Sequence, residues 1–345
     1  MVERLILIFS ALLLAISASA ALPSTHLLID LLSHFRFQYF GAAGLGVLLI
    51  CLIFMRTRTR LNWALGLFLI AGAINGWALW PYVPTGGAQA APAGSFKVAV
   101  ANLLGVNRKH DAVLSFVREE SPDLLVLLET NDRWIRAMEP LKKIYPHSVS
   151  LLQTRNFGLM IFSRVPLNDV ETRYFDQFPN IPTVFFNLSI DGKNYRVAAV
   201  HAAPPVNVPI NMAEFQAAKS LTMTTVGEIQ LSLRNAHLRA VADWISTKAG
   251  SILVVGDLNT TPYSHAFENF ISTSGLKDAR KGRGFLPTWG PLSPWPLRLP
   301  IDHILLSKGL EATSLNVGPD VGSDHRPLIA VLKPSINALV QKQTD

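Results

Sequence analysis

The stretch SILVVGDLN at residues 251–259 is the most telling in the chain. Residues 252–255 form an unbroken apolar run that reads as a strand, and Gly256-Asp257-Leu258-Asn259 is its polar end. The same arrangement recurs along the sequence. Residues 98–101 run into Asn102, residues 124–128 into Glu129, and residues 197–200 into His201. Ile301 precedes Asp302 and His303, and Ser323 precedes Asp324 and His325. A sheet sandwich collects such polar strand ends at one rim.

Amphipathic stretches separate the apolar runs. Helices are expected over 110–120, 134–145, 231–247 and 265–272; the third places Leu231, Leu238, Val241, Ala242 and Ile245 on one face. Strands are expected at 96–103, 123–128, 148–152, 158–162, 182–190, 195–200, 252–255, 302–306 and 327–332. Asp191-Gly192 is a hairpin signal between two of them. This alternation predicts one α/β domain over residues 96–334, followed by a tail at 335–345.

Carboxylates gathered at one rim repel unless a cation neutralises them. Oxygen donors without thiolate suit Mg²⁺ or Mn²⁺ better than zinc. The single cysteine, Cys51, lies in an apolar run, so one chain forms neither a disulfide nor a Cys-based zinc site. A hard cation, two histidines and an Asp base together suit hydrolysis of a phosphate ester.

The ordered set Asn102, Glu129, His201, GDLN at 256–259, Asp302 and SDH at 323–325 resembles the endonuclease/exonuclease/phosphatase superfamily. That family includes pancreatic deoxyribonuclease, abasic-site endonucleases, inositol-phosphate phosphatases and neutral sphingomyelinases. The resemblance spans about residues 96–333 and implies a four-layer α/β/β/α sandwich with two mixed sheets face to face. It implies Asn102 and Glu129 as metal-site residues, with Asp324 close by. Asp257 then orients or deprotonates the attacking water, and Asn259 binds phosphate beside it. His325 stands at the scissile phosphate, oriented by Asp302, and His201 is a phosphate ligand or general acid. Leu104 departs from the pattern, since some abasic-site enzymes carry Asp there, and this argues against that branch. His303 points to the opposite face of its strand and is read as structural. His110, His147, His237 and His265 lack motif context and are read as surface or capping residues.

The first eighty residues are of another kind. They hold only Glu3, Arg4, Asp30, Arg36, Arg56, Arg58 and Arg60 as charges. Apolar stretches at 5–22, 37–55 and 61–80 are each about long enough to cross a membrane, which takes roughly 20 helical residues. The basic loop Arg56-Thr57-Arg58-Thr59-Arg60 is cytoplasmic by the positive-inside rule. Residues 23–36 then link two spans on the outer side, and everything after Trp80 is extracytoplasmic. Trp77, Trp80 and Tyr82 suit interfacial anchoring. Ala18-Ser19-Ala20 also fits a signal-peptide cleavage site, which changes the number of spans but not the side. Residues 1–82 are thus a transmembrane region and 83–95, rich in Pro, Gly and Ala, a linker.

Charge and substrate remain. Of 31 basic residues five precede residue 81, and of 24 acidic residues two do, so the globular part has an excess of only four positive charges. That is thin for a nuclease groove, and an extracytoplasmic nuclease is the alternative to a membrane-tethered enzyme acting on a lipid-linked or cell-envelope phosphate. The resemblance adds that membrane-anchored members have been linked to glycopeptide resistance. A third reading, a non-catalytic membrane sensor, conflicts with the intact polar set. Trp289 and Trp295 in the Pro-rich loop 284–300 suit a lipid surface. Lys277, Arg280, Lys281 and Arg283 form a basic run that reads as a solvated loop or as a contact for phosphate head groups. Residues 206–230 are a surface excursion or a lid.

Overall fold

The computed structural model describes residues 1–24, 26–57, 61–86, 92–153, 156–175, 181–205, 223–290 and 294–335. Helix α1 (Val2–Ala21) leads through a short helix, α2 (Leu27–Ser33), into α3 (Arg36–Thr57) and α4 (Asn62–Leu79). Three of these, α1, α3 and α4 with its extension to Tyr82, are long and apolar enough to cross a membrane. Ile8, Leu12, Leu45, Leu48, Leu69 and Ile70 all point outward, an apolar exterior on a scale that soluble surfaces rarely carry. Arg36 pins the bundle. Its buried guanidinium donates to the carbonyls of Ser17 (3.1 Å) and Ala20 (2.6 Å) and to Asn75 Oδ1 (3.3 Å). A cation at the open carbonyl end of α1 satisfies acceptors that the helix itself leaves unpaired.

The globular part opens with β1 (Phe96–Asn102), α5 (His110–Glu120), β2 (Leu124–Leu128), α6 (Asp132–Met138), β3 (His147–Leu151) and β4 (Leu159–Ser163). Next come β5 (Asn168–Tyr174), β6 (Pro182–Ile190), β7 (Lys193–His201), α7 (Met223–Ser246), β8 (Ser251–Asp257) and α8 (His265–Ser274). It closes with β9 (Lys277–Asp278), β10 (Asp302–Leu306), β11 (Leu310–Val317) and β12 (Leu328–Pro334). The strands form two mixed sheets, ordered β11-β12-β1-β2-β4-β3 and β5-β6-β7-β8-β10-β9.

Period-two alternation assigns each strand's two faces. Val98, Val100 and Val126 meet Val197, Leu253 and Val255 between the sheets. Ala99, Ala101, Leu125 and Leu127 pack under α5 and α6, while Ala198, Val200, Ile252 and Val254 pack under α7 and α8. Central strands covered on both faces are apolar at every position, which is why they were legible as continuous runs. The expected four-layer α/β/β/α sandwich is the architecture observed.

Three strands escape the sequence reading, β5, β9 and β11, and all three are sheet edges. β5 (NDVETRY) is largely exposed and β9 has two residues, so neither carries an apolar signal. The expected helix at 134–145 divides into α6 and a 3₁₀ turn over Glu139–Lys143, where Pro140 removes a helical N–H. α7 starts at Met223, earlier than expected, and buries all five residues of the predicted face. The rest of the 206–230 stretch, 206–222, lies outside the described residues.

Residues 23–36 are not a plain linker, because α2 forms there and docks on the globular part. The bundle and the segment after it meet that part at several further points. Phe37 packs on Phe285 (ring centroids 4.8 Å apart) and Trp295 (5.4 Å), and Thr85 N–H donates to Gly282 O at 3.0 Å. Tyr82, read as an interfacial anchor, is buried edge-on against Tyr263 instead. Trp77 and Trp80 are exposed as expected.

Candidate active site

Strand register assembles the site. Parallel pairing sets His201 of β7 opposite Asp257 of β8, and antiparallel pairing sets Asp257 opposite Asp302 of β10. Residues directly opposite on neighbouring strands share a face, so three polar groups line up at one rim. In the other sheet Asn102 of β1 lies opposite Leu128, and Glu129 is one residue further. Asn102 joins the two rims: its Nδ2 donates to Glu129 Oε1 at 2.9 Å and to Asp257 Oδ2 at 3.2 Å.

The glycine of GDLN has a packing role that the sequence did not disclose. Gly256 pairs with Val200, and a Cβ there would lie 1.8 Å from the Val200 carbonyl oxygen. Only glycine lets β7 and β8 approach closely enough to place His201 beside Asp257.

Three non-glycine residues around the site hold left-handed backbone: Leu104 (φ 56°), Glu129 (55°) and Asn259 (49°). Asn tolerates this region; for Glu and Leu it costs roughly 1–2 kcal/mol. Local hydrogen bonds hold the conformations in place. Leu104 N–H donates to Asn102 Oδ1 (3.1 Å), Asn259 N–H to Asp257 Oδ1 (2.8 Å), and Asn259 Nδ2 to the Ala202 carbonyl (2.8 Å).

His325 stands next to both buried carboxylates. Its Nδ1 is 2.8 Å from Asp302 Oδ2 and its Nε2 3.7 Å from Asp257 Oδ2. Burial alone would lower the His325 pKa, but the charge and hydrogen bond of Asp302 outweigh it and push the imidazole up to about 10. Asp302 is held low in return, its burial outweighed by His325. Burial and the neighbouring Asp302 charge push Asp257 up. His201, packed on Phe157, is held low by burial. Its Nε2 is 4.0 Å from Glu129 Oε1 and 3.9 Å from Asp257 Oδ2.

Asp324 lines the same cavity, of about 690 Å³, and accepts from Trp289 Nε1 at 3.1 Å. Trp289 therefore faces the site, while Trp295 is 57% exposed. The basic run is solvated only in part: Lys277 and Lys281 are exposed, but Arg280 is not. Arg280 is fully buried, pairs with Asp278 (3.3 Å) and donates to the Asp302 carbonyl (2.7 Å). His303 is structural as expected: Nε2 donates to the Thr260 carbonyl at 2.8 Å. His237, read as a surface or capping residue, is fully buried with its Nε2 3.1 Å from Thr183 Oγ1.

The sequence reading missed the groups that brace GDLN from the side of the N-terminal helices. Arg234 Nη1 donates to the Asn259 carbonyl at 3.1 Å, and its Nη2 meets Asp30 Oδ1 of α2 at 2.6 Å. His34 Nδ1 lies 3.0 Å from Thr261 Oγ1, and its Nε2 is 3.3 Å from Asp30 Oδ2. Asp30, a lone acid between apolar stretches, was the available signal.

The donor set fits a hard cation. Glu129 presents a carboxylate to the cavity, with the Asp257 and Asp324 carboxylates beside it and no sulfur ligand. Ligand atoms of Asp257, Asp302 and His325 also lie within 4.8 Å of one another. The Asp302 charge and hydrogen bond favour the protonated form of the His325 imidazole, however, and an imidazolium cannot ligate.

A family model described as Endonuclease/Exonuclease/phosphatase family matches residues 95–325. No curated protein matches the chain. Among solved structures, truncated TDP2 of Caenorhabditis elegans is 15% identical, covering 71% of this chain and 100% of its own, with a TM-score of 0.53. An endonuclease/exonuclease/phosphatase from Beutenbergia cavernae is 18% identical, covering 70% and 72%, with a TM-score of 0.55. The catalytic domain of human Nocturnin, with bound sulfate, is 16% identical, covering 71% and 97%, with a TM-score of 0.51. All three share the fold of the globular part.

Proposed function

The chain belongs to the endonuclease/exonuclease/phosphatase family and is a divalent-metal-dependent phosphoesterase; we propose that it is anchored in the membrane and uses Mg²⁺ to hydrolyse a lipid-linked or cell-envelope phosphate at the outer face. The observation that carries this reading is Phe35. It lines the cavity that holds Asp257 and His325, and the next residue, Arg36, begins the membrane-length helix α3. A phosphate in the cavity is then within reach of a chain that stays in the bilayer.

Glu129 would hold the cation, with Asn102 and Asp324 beside it, and a bound Mg²⁺ would offset charge on the phosphate oxygens. Asp257 orients the attacking water and, in its ionised form, accepts its proton; burial makes that carboxylate a stronger base than an exposed one. His325, kept cationic by Asp302, faces the phosphate and stabilises the charge that develops there. Asn259 and His201 bind phosphate oxygens on either side.

The deciding assay uses full-length protein in detergent with Mg²⁺. Lipid phosphates, lipid diphosphates and nucleic acid are offered side by side. Turnover of a lipid phosphate is the expected result. Efficient degradation of DNA or RNA with steep salt dependence, and no lipid turnover, would install the nuclease reading instead.

A further inference from the structure

Helix α2 is built into the globular part on one face. Leu27 packs so closely on α7 that a Cβ at Gly227 would lie 2.4 Å from its Cδ2. One turn on, Asp30 pairs with Arg234 at 2.6 Å, both side chains almost wholly buried. At the C-terminal end His34 reaches Thr261. Residues 27, 30 and 34 follow helical spacing, so Leu31 and Phe35 are left on an adjoining face. That face forms part of the wall of the cavity that Asp257 and His325 also line, with Leu104 and Ile301 adding further apolar surface.

We propose that Leu31 and Phe35 form the subsite for the aliphatic chain of a membrane-lipid phosphate ester, so that the segment between two membrane helices sets substrate specificity. This rests on the lipid reading above and names the residues that would enforce it. The occupant follows from continuity. The polar groups and the apolar residues Leu31 and Phe35 line one cavity, and α3 begins at the residue after Phe35, an arrangement that matches a phosphate head followed by methylenes. A wall fixed by a buried ion pair is preorganised, so binding the chain there does not first require ordering the protein. A soluble phosphate or a nucleotide gains nothing from it.

The test uses full-length protein in detergent micelles with Mg²⁺ and two diesters that share a leaving group, methyl 4-nitrophenyl phosphate and dodecyl 4-nitrophenyl phosphate. The readout is the dodecyl-to-methyl ratio of kcat/KM, which cancels general losses of activity. Wild type is expected to favour the dodecyl ester. Leu31→Ala with Phe35→Ala should lower the ratio about tenfold, the scale of losing contact with one or two methylenes. Phe35→Leu, which keeps an apolar wall, should retain most of it, and thermal unfolding checks that each variant is folded. An unchanged ratio in folded double variants overturns the subsite while leaving the lipid reading standing. A wild type that does not favour the dodecyl ester, or that cleaves neither, overturns both.

Discussion

The guanidinium of Arg234, fully buried in α7, meets the carboxylate of Asp30 at 2.6 Å across 204 residues of chain. The same guanidinium donates to the carbonyl of Asn259, two residues after the candidate base. The N-terminal helical segment and the rim of the candidate site are therefore one mechanical unit. Burial by itself would raise the Asp30 pKa, but the His34 and Arg234 interactions outweigh it and hold the carboxyl well below its usual range.

Breaking that pair leaves a buried cation uncompensated. Asp30→Ala should cost about 3–5 kcal/mol, whereas Asp30→Leu combined with Arg234→Met should recover much of the loss. Thermal unfolding of the full chain in detergent measures both. A domain cut at Gly94 loses Asp30 and His34 together and should melt earlier than the full-length protein.

Glu129→Gln keeps the side-chain volume and removes the charge. Mg²⁺-dependent turnover should disappear and Mg²⁺ binding, read by calorimetry, should weaken, with the circular dichroism spectrum unchanged. Full activity in this variant would take Glu129 out of the metal site.

For the chemical step, Asp257→Asn and His325→Ala should each lower kcat by ~10²–10⁴-fold. Asp302→Asn loosens and partly discharges the imidazole without removing it, so its loss should be smaller. Changes confined to KM would make these residues binding groups.

Acid stability should depend on His237. Burial pushes its pKa down to about 3, against about 6.5 when unfolded. The unfolded chain thus binds the extra proton first. The stabilisation is full above about pH 6.5 and declines as the pH falls toward 3. His237→Gln, which does not titrate, should show a shallower fall in Tm between pH 7 and 4. The slope will not vanish, because His303 is likewise pushed down, to about 4, by burial and Arg280.

Topology is testable by fusion. Arg56 lies at the end of α3 remote from Phe37, which touches the globular part. A reporter active only outside the cytoplasm should be active after Asp345 and silent at Thr59. The reverse would invert the proposed orientation.

Local signals carried much of the fold. The runs ending at Asn102, Glu129, His201 and Asp257 were legible because central strands are apolar on both faces, and α7 because its buried face repeats every three to four residues. The three membrane-length helices follow from length and composition alone. Edge strands such as β5 were not legible, since pairing rather than apolarity defines them. The ordered polar set pointed to the candidate site, but not to its construction. That Asn102 bridges two sheets, that Gly256 must lack a Cβ, that Glu129 adopts left-handed backbone, and that Asp30 and His34 brace Asn259 and Thr261 are all decided by tertiary contact. Each depends on residues far apart in the chain or on the space a neighbour occupies, and no local period or composition records either.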